Sequence, residues 1–96
     1  MAKKKTSQIF IVTVTGEDKV GIIAKLATAM ARRNINIVDV NQKIMEHFFV
    51  MTMAADMSDS KADMEEVHKE LDKISKEMSL NITFQNENIF KAMHRI

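Results

Sequence analysis

The sequence predicts one α+β sandwich, and three observations carry the prediction. Two segments place apolar residues at steps of three and four, one around Leu26 and one around Leu71, which is the spacing of helices with a single buried face. Four further segments are short runs that are β-branched, alternating or almost wholly apolar, as strands are. Their order along the chain is β-α-β-β-α-β. That is the split βαβ, or ferredoxin-like, arrangement, with both helices on one face of an antiparallel sheet in spatial order 4-1-3-2.

Composition agrees with a single folded unit. The chain has 96 residues, 46% of them hydrophobic and 28% charged, with 14 Lys and Arg against 13 Asp and Glu. Apolar content at this level does not suit a disordered chain. A domain of this size buries only about two-thirds of its unfolded surface, so there is room for one thin core, and burial against a second copy would add to it. The absence of cysteine excludes disulfides and cysteine-ligated metal centres, and it fits a reducing compartment. No window approaches the ~18 apolar residues of a membrane span, and no signal-peptide core follows Lys3-Lys4-Lys5. A cytoplasmic protein is expected. Its net charge of +1 exerts little long-range pull on nucleic acid or anionic lipid.

Residues 1–7 read as a flexible basic start, and 8–96 as the domain. Gln8 to Thr15 is the first strand, stopped by Gly16. After the charged turn Glu17-Asp18-Lys19, the spacing of Ile23, Leu26, Ala27 and Met30 predicts a helix over Val20–Arg33 with those residues in the core, and Arg32-Arg33 suits its C-terminal dipole. Asn34-Ile35-Asn36 breaks it. Ile37 to Met45 sets Val38, Val40 and Ile44 against Asp39, Asn41 and Lys43, a half-exposed edge strand. Phe48 to Ala55 has one polar residue, Thr52, so both faces are expected to be covered and the strand central. Ser60-x-x-Asp63 reads as a capping box before a helix that buries Met64, Val67, Leu71, Ile74 and Met78. Leu80, Ile82 and Phe84 alternate with Asn81, Thr83 and Gln85 in a fourth strand, and Ile89, Phe90, Met93 and Ile96 form a short C-terminal helix.

Catalytic chemistry finds no support in these residues. A nucleophile needs a positioned base, and His47, His68 and His94 fall in a hairpin, on a polar helix flank and in the tail. Glu65 and Asp72 stand at metal-ligand spacing from His68, but on a face crowded with Lys69, Glu70 and Lys73 that reads as a solvated charge lattice. A phosphate enzyme of this topology would want a cationic loop after the first strand, where Glu17 and Asp18 stand instead. No catalytic residue, metal or cofactor is expected. RNA-recognition domains share the element order and stack bases on aromatics of strands one and three, where Phe10, Phe48 and Phe49 lie. Their neighbours Glu46, His47 and Met51 depart from the basic, glycine-containing pattern such domains use, and core packing accounts for the phenylalanines. The nine methionines are read as gap-filling core residues.

The junction between the first strand and helix is different. Gly21 is a poor helix former at a helix start, which points to a special dihedral, to tight helix–sheet packing or to a ligand role. Amides of Gly21, Ile22 and Ile23 can hold a carboxylate there, and Asp18 can accept an ammonium. Such a pair of receptors suits a free amino acid.

Asp18-Lys19-Val20-Gly21-Ile22, followed by Asn34-Ile35-Asn36-Ile37 within this element order, resembles the ACT domain, over residues 8–86. The chain resembles stand-alone bacterial and archaeal ACT proteins, whose ending is similar to Ile89-Phe90-x-Ala92-Met93-x-x-Ile96 and which also resemble the domains of the glycine-cleavage repressor. The resemblance implies a regulatory domain without catalytic activity that binds an amino acid or similar metabolite at a homodimer interface and signals to a partner protein. Carried over from serine-sensing members, ligand contacts map to Asp18, Lys19, Val20, Gly21 and Ile22 in the loop and to Asn36 and Ile37 at the start of strand two. Gly16 stands where those members have a loop histidine, and Val20 where a proline is common. The alternative is a dimerisation or protein-interaction module without ligand. A free edge on strand two would pair with a copy of itself, and Ala24, Thr28 and Ala31 would let neighbouring helices approach.

Overall fold

The computed structural model describes residues 8–88. The elements are β1 (Ile9–Glu17), α1 (Ile22–Arg32), β2 (Asn36–Met45), β3 (Phe48–Asp56), α2 (Met64–Met78) and β4 (Leu80–Asn86). The sheet order is β2-β3-β1-β4 with every pair antiparallel, the ferredoxin-like order expected. The expected helix over Ile89–Ile96 and the basic start lie outside the described residues.

One core lies between the helices and one face of the sheet. Val12 and Val14 of β1, Phe49, Met51, Met53 and Ala55 of β3, and Leu80 and Phe84 of β4 supply the sheet side. The alternate residues of β3, Val50, Thr52, Ala54 and Asp56, are only half-buried on the other face, so the cover expected on both faces is complete on the helix side alone. Both middle positions of the sheet thus go to the most apolar strands, because only there are both backbone edges hydrogen-bonded.

In α1 the buried residues are Ile22, Leu26, Ala29 and Met30, so the helix is turned by about one residue from the expected face: Ile23 is 40% exposed. The helix begins at Ile22 rather than Val20, because Gly21 adopts φ 92° and ψ 3°, and this start brings Ile22 to the sheet. It ends on a left-handed Asn34, φ 56°. The Asn34 N–H donates to Ala31 O and the Ile35 N–H to Met30 O, both at 3.0 Å, and Ile35 and Met30 are both buried. This is a Schellman stop with its apolar clasp.

Helix α2 also begins later than expected, at Met64, since the N-cap is Asp63, whose Oδ1 accepts the Glu66 N–H at 2.8 Å. Ser60 bonds elsewhere. Its hydroxyl donates to Arg33 O at 2.6 Å and accepts the Ala62 N–H at 3.2 Å, tying the approach to α2 onto the end of α1. Val67, Leu71 and Ile74 are buried as expected, and Met78 packs against the core. Met64 is 37% exposed and outside it.

Arg33 clasps the two helices. Its Nη1 donates to Ala29 O at 2.9 Å and its Nη2 to Glu70 at 3.2 Å, while Nε lies 3.2 Å from Glu66 Oε2 as an ion pair without hydrogen-bond geometry. With only 17% of its side chain exposed, the cation is worth more here than at an open surface. Arg33→Met is expected to cost about 1–2 kcal/mol, from two lost charge-assisted hydrogen bonds and a cation at a helix C-terminus. Urea denaturation checks it, and a difference between wild type and variant that shrinks at 1 M salt would assign the effect to charge rather than packing.

Strand β2 differs most from expectation. A bulge between Ile37 and Asp39 leaves Val38 out of register with β3. Every residue of the strand except Ile37 is exposed, including Val38, Val40, Ile44 and Met45. The apolar alternation read from the sequence is interrupted there because the extra residue reverses which side chains face the helices.

Candidate functional site

The loop from β1 to α1 is fastened at its start. The Asp18 N–H donates to His47 O at 2.8 Å, joining it to the β2–β3 turn. At its end Gly21 caps α1 with its backbone alone: among the described residues no side chain accepts from the first helical amides, and no acidic residue lies in the first turn. A Cβ added to Gly21 would meet nothing within 4 Å. Tight packing is therefore not the reason for this glycine, and its left-handed φ of 92° is.

Beside that bare helix start is an open cavity of about 220 Å³, lined by Asp18, Lys19, Gly21, Ile22, Ile23, Ala24, Gln42 and Phe49. A carboxylate side chain and an ammonium flank it, the helix amides carry partial positive charge, and Ile22, Ile23 and Phe49 form an apolar wall. Four residues expected at the site, Asp18, Lys19, Gly21 and Ile22, are thus brought together. Val20 is fully exposed and is not in the lining.

Asn36 and Ile37 are elsewhere. They pair with Asp56 and Ala55, whereas Gln42 pairs with Met51, five residues further along β3, so within one chain Asn36 lies about 17 Å along the strand from Gln42. The sequence reading missed Gln42 and Phe49. Gln42 shares the helix-side face with Val40 and Ile44, whose β3 partners are the buried Met53 and Phe49. The signal was Asn41-Gln42-Lys43: three successive polar residues cannot all face outward in a strand, so one of them must stand among the apolar side chains.

The other candidate groupings do different work. His68 packs edge-on against Phe84, ring centroids 5.1 Å apart, and Phe84 stacks on Phe10 at 4.9 Å. Phe10 and Phe49 thus point to the helix side, and Phe48 alone of the three lies on the open face, so these three rings form no stacking platform for bases among the described residues. Among the described residues no three His, Cys, Asp or Glu gather as metal ligands, and no helix is long and apolar enough to cross a membrane. A larger groove of about 310 Å³ between α1 and α2 is ionic, with Lys25 bonded to Glu77 at 3.1 Å.

Comparison with known proteins gives a consistent result. The sequence profile of the ACT domain matches residues 8–85. A UPF0237 protein of Methanocaldococcus jannaschii is 42% identical over 86 residues, covering 90% of this chain and 96% of the relative. Among solved structures, an ACT domain protein from Streptococcus pneumoniae is 32% identical with a TM-score of 0.72, over 93% of this chain and all of that one. A protein provisionally named a glycine cleavage system transcriptional repressor superposes with a TM-score of 0.73 at 19% identity, over 83% of this chain and 46% of its own, which is a likeness of fold.

Proposed function

The chain belongs to the ACT domain family, a regulatory small-ligand-binding fold, and we propose that it is a cytoplasmic homodimeric sensor of an amino acid or similar zwitterion, without catalytic activity. The observation that carries this reading is the cavity at the bare start of α1. A ligand carboxylate would meet the amides of Ile22 and Ile23, its ammonium would meet Asp18, and its side chain would lie between Phe49 and Gln42. Free amino acids have this charge pattern and size. Asn36 and Ile37 would join the site from a second copy across the β2 edge, because no fold of one chain brings both ends of a strand together. Ligand bridging two copies would change the stability or geometry of the dimer and so be read by a partner protein.

A thermal-shift screen of the purified protein against the twenty amino acids tests this. A ligand at 100 times its dissociation constant adds about 2.7 kcal/mol, on the order of 10 °C or more for a domain of this size. One chemically coherent group of amino acids is expected to stabilise the wild type, and Asp18→Ala and Asn36→Ala each to remove that shift while leaving the unliganded melting temperature within about 2 °C. No shift with any amino acid would overturn the sensor. The exposed apolar edge of β2 favours the alternative in that case, a dimerisation module that needs no ligand.

A further inference from the structure

Among the described residues strand β2 is hydrogen-bonded on one side only, so no described strand occupies its outer backbone edge. Such an edge, carrying Val38, Val40, Ile44 and Met45 at 44–57% exposure, is a surface that a second strand completes. On the face of the sheet away from the helices it presents Asp39, Asn41 and Lys43, opposite Ala54, Thr52 and Val50 of β3. Neither Asp39 nor Lys43 has an ion-pair partner among the described residues. An acid and a base four residues apart on one strand face are too far apart to pair with each other, at about 13 Å.

We propose that two copies pair antiparallel through β2 with Asn41 on the two-fold axis, so that Asp39 of each copy lies opposite Lys43 of the other. The inference rests on the homodimer reading and adds its register. A two-fold axis perpendicular to the sheet keeps the two faces separate, so a residue can oppose only one of its own face. Few registers remain. Centring on Asp39 or Lys43 sets like charges against each other. Centring on Val40 opposes Asp39 to Asn41, and centring on Gln42 opposes Asp39 to Met45; both leave the carboxylate without its cation. Only Asn41 at the centre pairs both charges, twice, and places an amide against its own copy, where each can donate and accept.

The same register covers the helix-side face. Val40 comes opposite the second copy's Gln42, and Ile44 comes alongside the bulge at Val38, so exposed apolar side chains meet partners from the other chain. It also carries Asn36 toward the Met45–Glu46 end of the second copy, next to the turn whose His47 carbonyl holds Asp18.

The chain contains no cysteine, so single cysteines report the register directly. Directly opposed residues of an antiparallel pair have Cα atoms about 4.5–5.5 Å apart, within disulfide range. Asn41→Cys is expected to give a covalent dimer under mild oxidation at micromolar protein. Val40→Cys and Gln42→Cys, each two residues out of step with its own copy, are expected to stay monomeric on a non-reducing gel. Independently, Asp39→Lys or Lys43→Asp is expected to raise the dimer dissociation constant about tenfold or more, measured by sedimentation, and the double exchange to restore it. A dimeric wild type in which Gln42→Cys or Val40→Cys cross-links and Asn41→Cys does not would overturn the register while leaving the dimer intact. A wild type that sediments as a monomer at 100 µM would overturn the dimer and the register with it.

Discussion

Leu26→Ala is expected to destabilise the protein by about 3 kcal/mol and to lower its melting temperature by more than 10 °C. Leu26 is wholly buried at the middle of α1, between Ile22 and Met30 on the same face and the side chains of β1 and β3 beneath. Truncation removes its transfer energy and leaves a cavity that a small core with close-packed methionines fills only in part. A domain of this size has a total stability of only about 5–15 kcal/mol, so the variant should be measurably unfolded in moderate urea. Ile23→Ala serves as its contrast. The sequence spacing places Ile23 in the core, whereas the structure leaves it 40% exposed, so the expected loss is below about 1 kcal/mol. Equal losses from the two substitutions would mean that α1 sits rotated from the orientation described.

Gly16→Val is expected to cost about 3 kcal/mol or more, and Gly16→Ala distinctly less. Gly16 lies in β1 where it pairs with Phe49 on one side and Leu80 on the other, at φ +154°. An added Cβ would stand 2.8 Å from Leu80 Cδ2 and 3.4 Å from both Leu80 Cα and Ser79 O. Leu80 Cδ2 ends a side chain that can turn, which limits the cost for alanine. The backbone atoms cannot yield, since Ser79 is itself held left-handed at φ 53° with its N–H on Ser75 O, and the Ser75 hydroxyl donates to Leu80 O. A β-branched residue adds atoms in that direction and is strained at this φ. Circular-dichroism melts of the two variants check the order. Because Gly16 leads into the loop that carries Asp18, Gly16→Val should also abolish any amino-acid shift in the thermal screen, a second readout of the same distortion.

Much of the fold was legible because it follows from period. Val67, Leu71 and Ile74 repeat at three and four, Leu80, Ile82 and Phe84 at two, and no competing pattern exists for either segment. The central place of β3 followed from its almost unbroken apolar run, and the edge place of β2 from its charges. Helix boundaries were less legible. Ser60 looked like a cap because its hydroxyl suits one, but the Arg33 carbonyl competes for it, and that carbonyl arrives from 27 residues away. The face of α1 was misjudged for a similar reason: Ile22 and Ile23 are adjacent and equally apolar, and only the φ of Gly21 decides which of them turns to the sheet.

For the candidate site, the loop residues Asp18, Lys19, Gly21 and Ile22 are contiguous and could be found by reading along the chain. Gln42 and Phe49 could not, since they reach the same cavity from two other strands.

The sequence by itself determined the order and type of the six elements described, the single core with several methionines in it, the sheet order, and the loop that carries the candidate contacts, because these depend on local periodicity and on how apolar each strand is. The tertiary structure alone decided the rotation of α1, the partners of Ser60 and Arg33, the bulge at Val38, and the convergence of Gln42 and Phe49 on the start of α1. The partners of Ser60 and Arg33 and the convergence of Gln42 and Phe49 are contacts between residues far apart in the chain, while at Gly21 and Val38 the local sequence leaves more than one backbone arrangement open and the packing of the whole domain selects one.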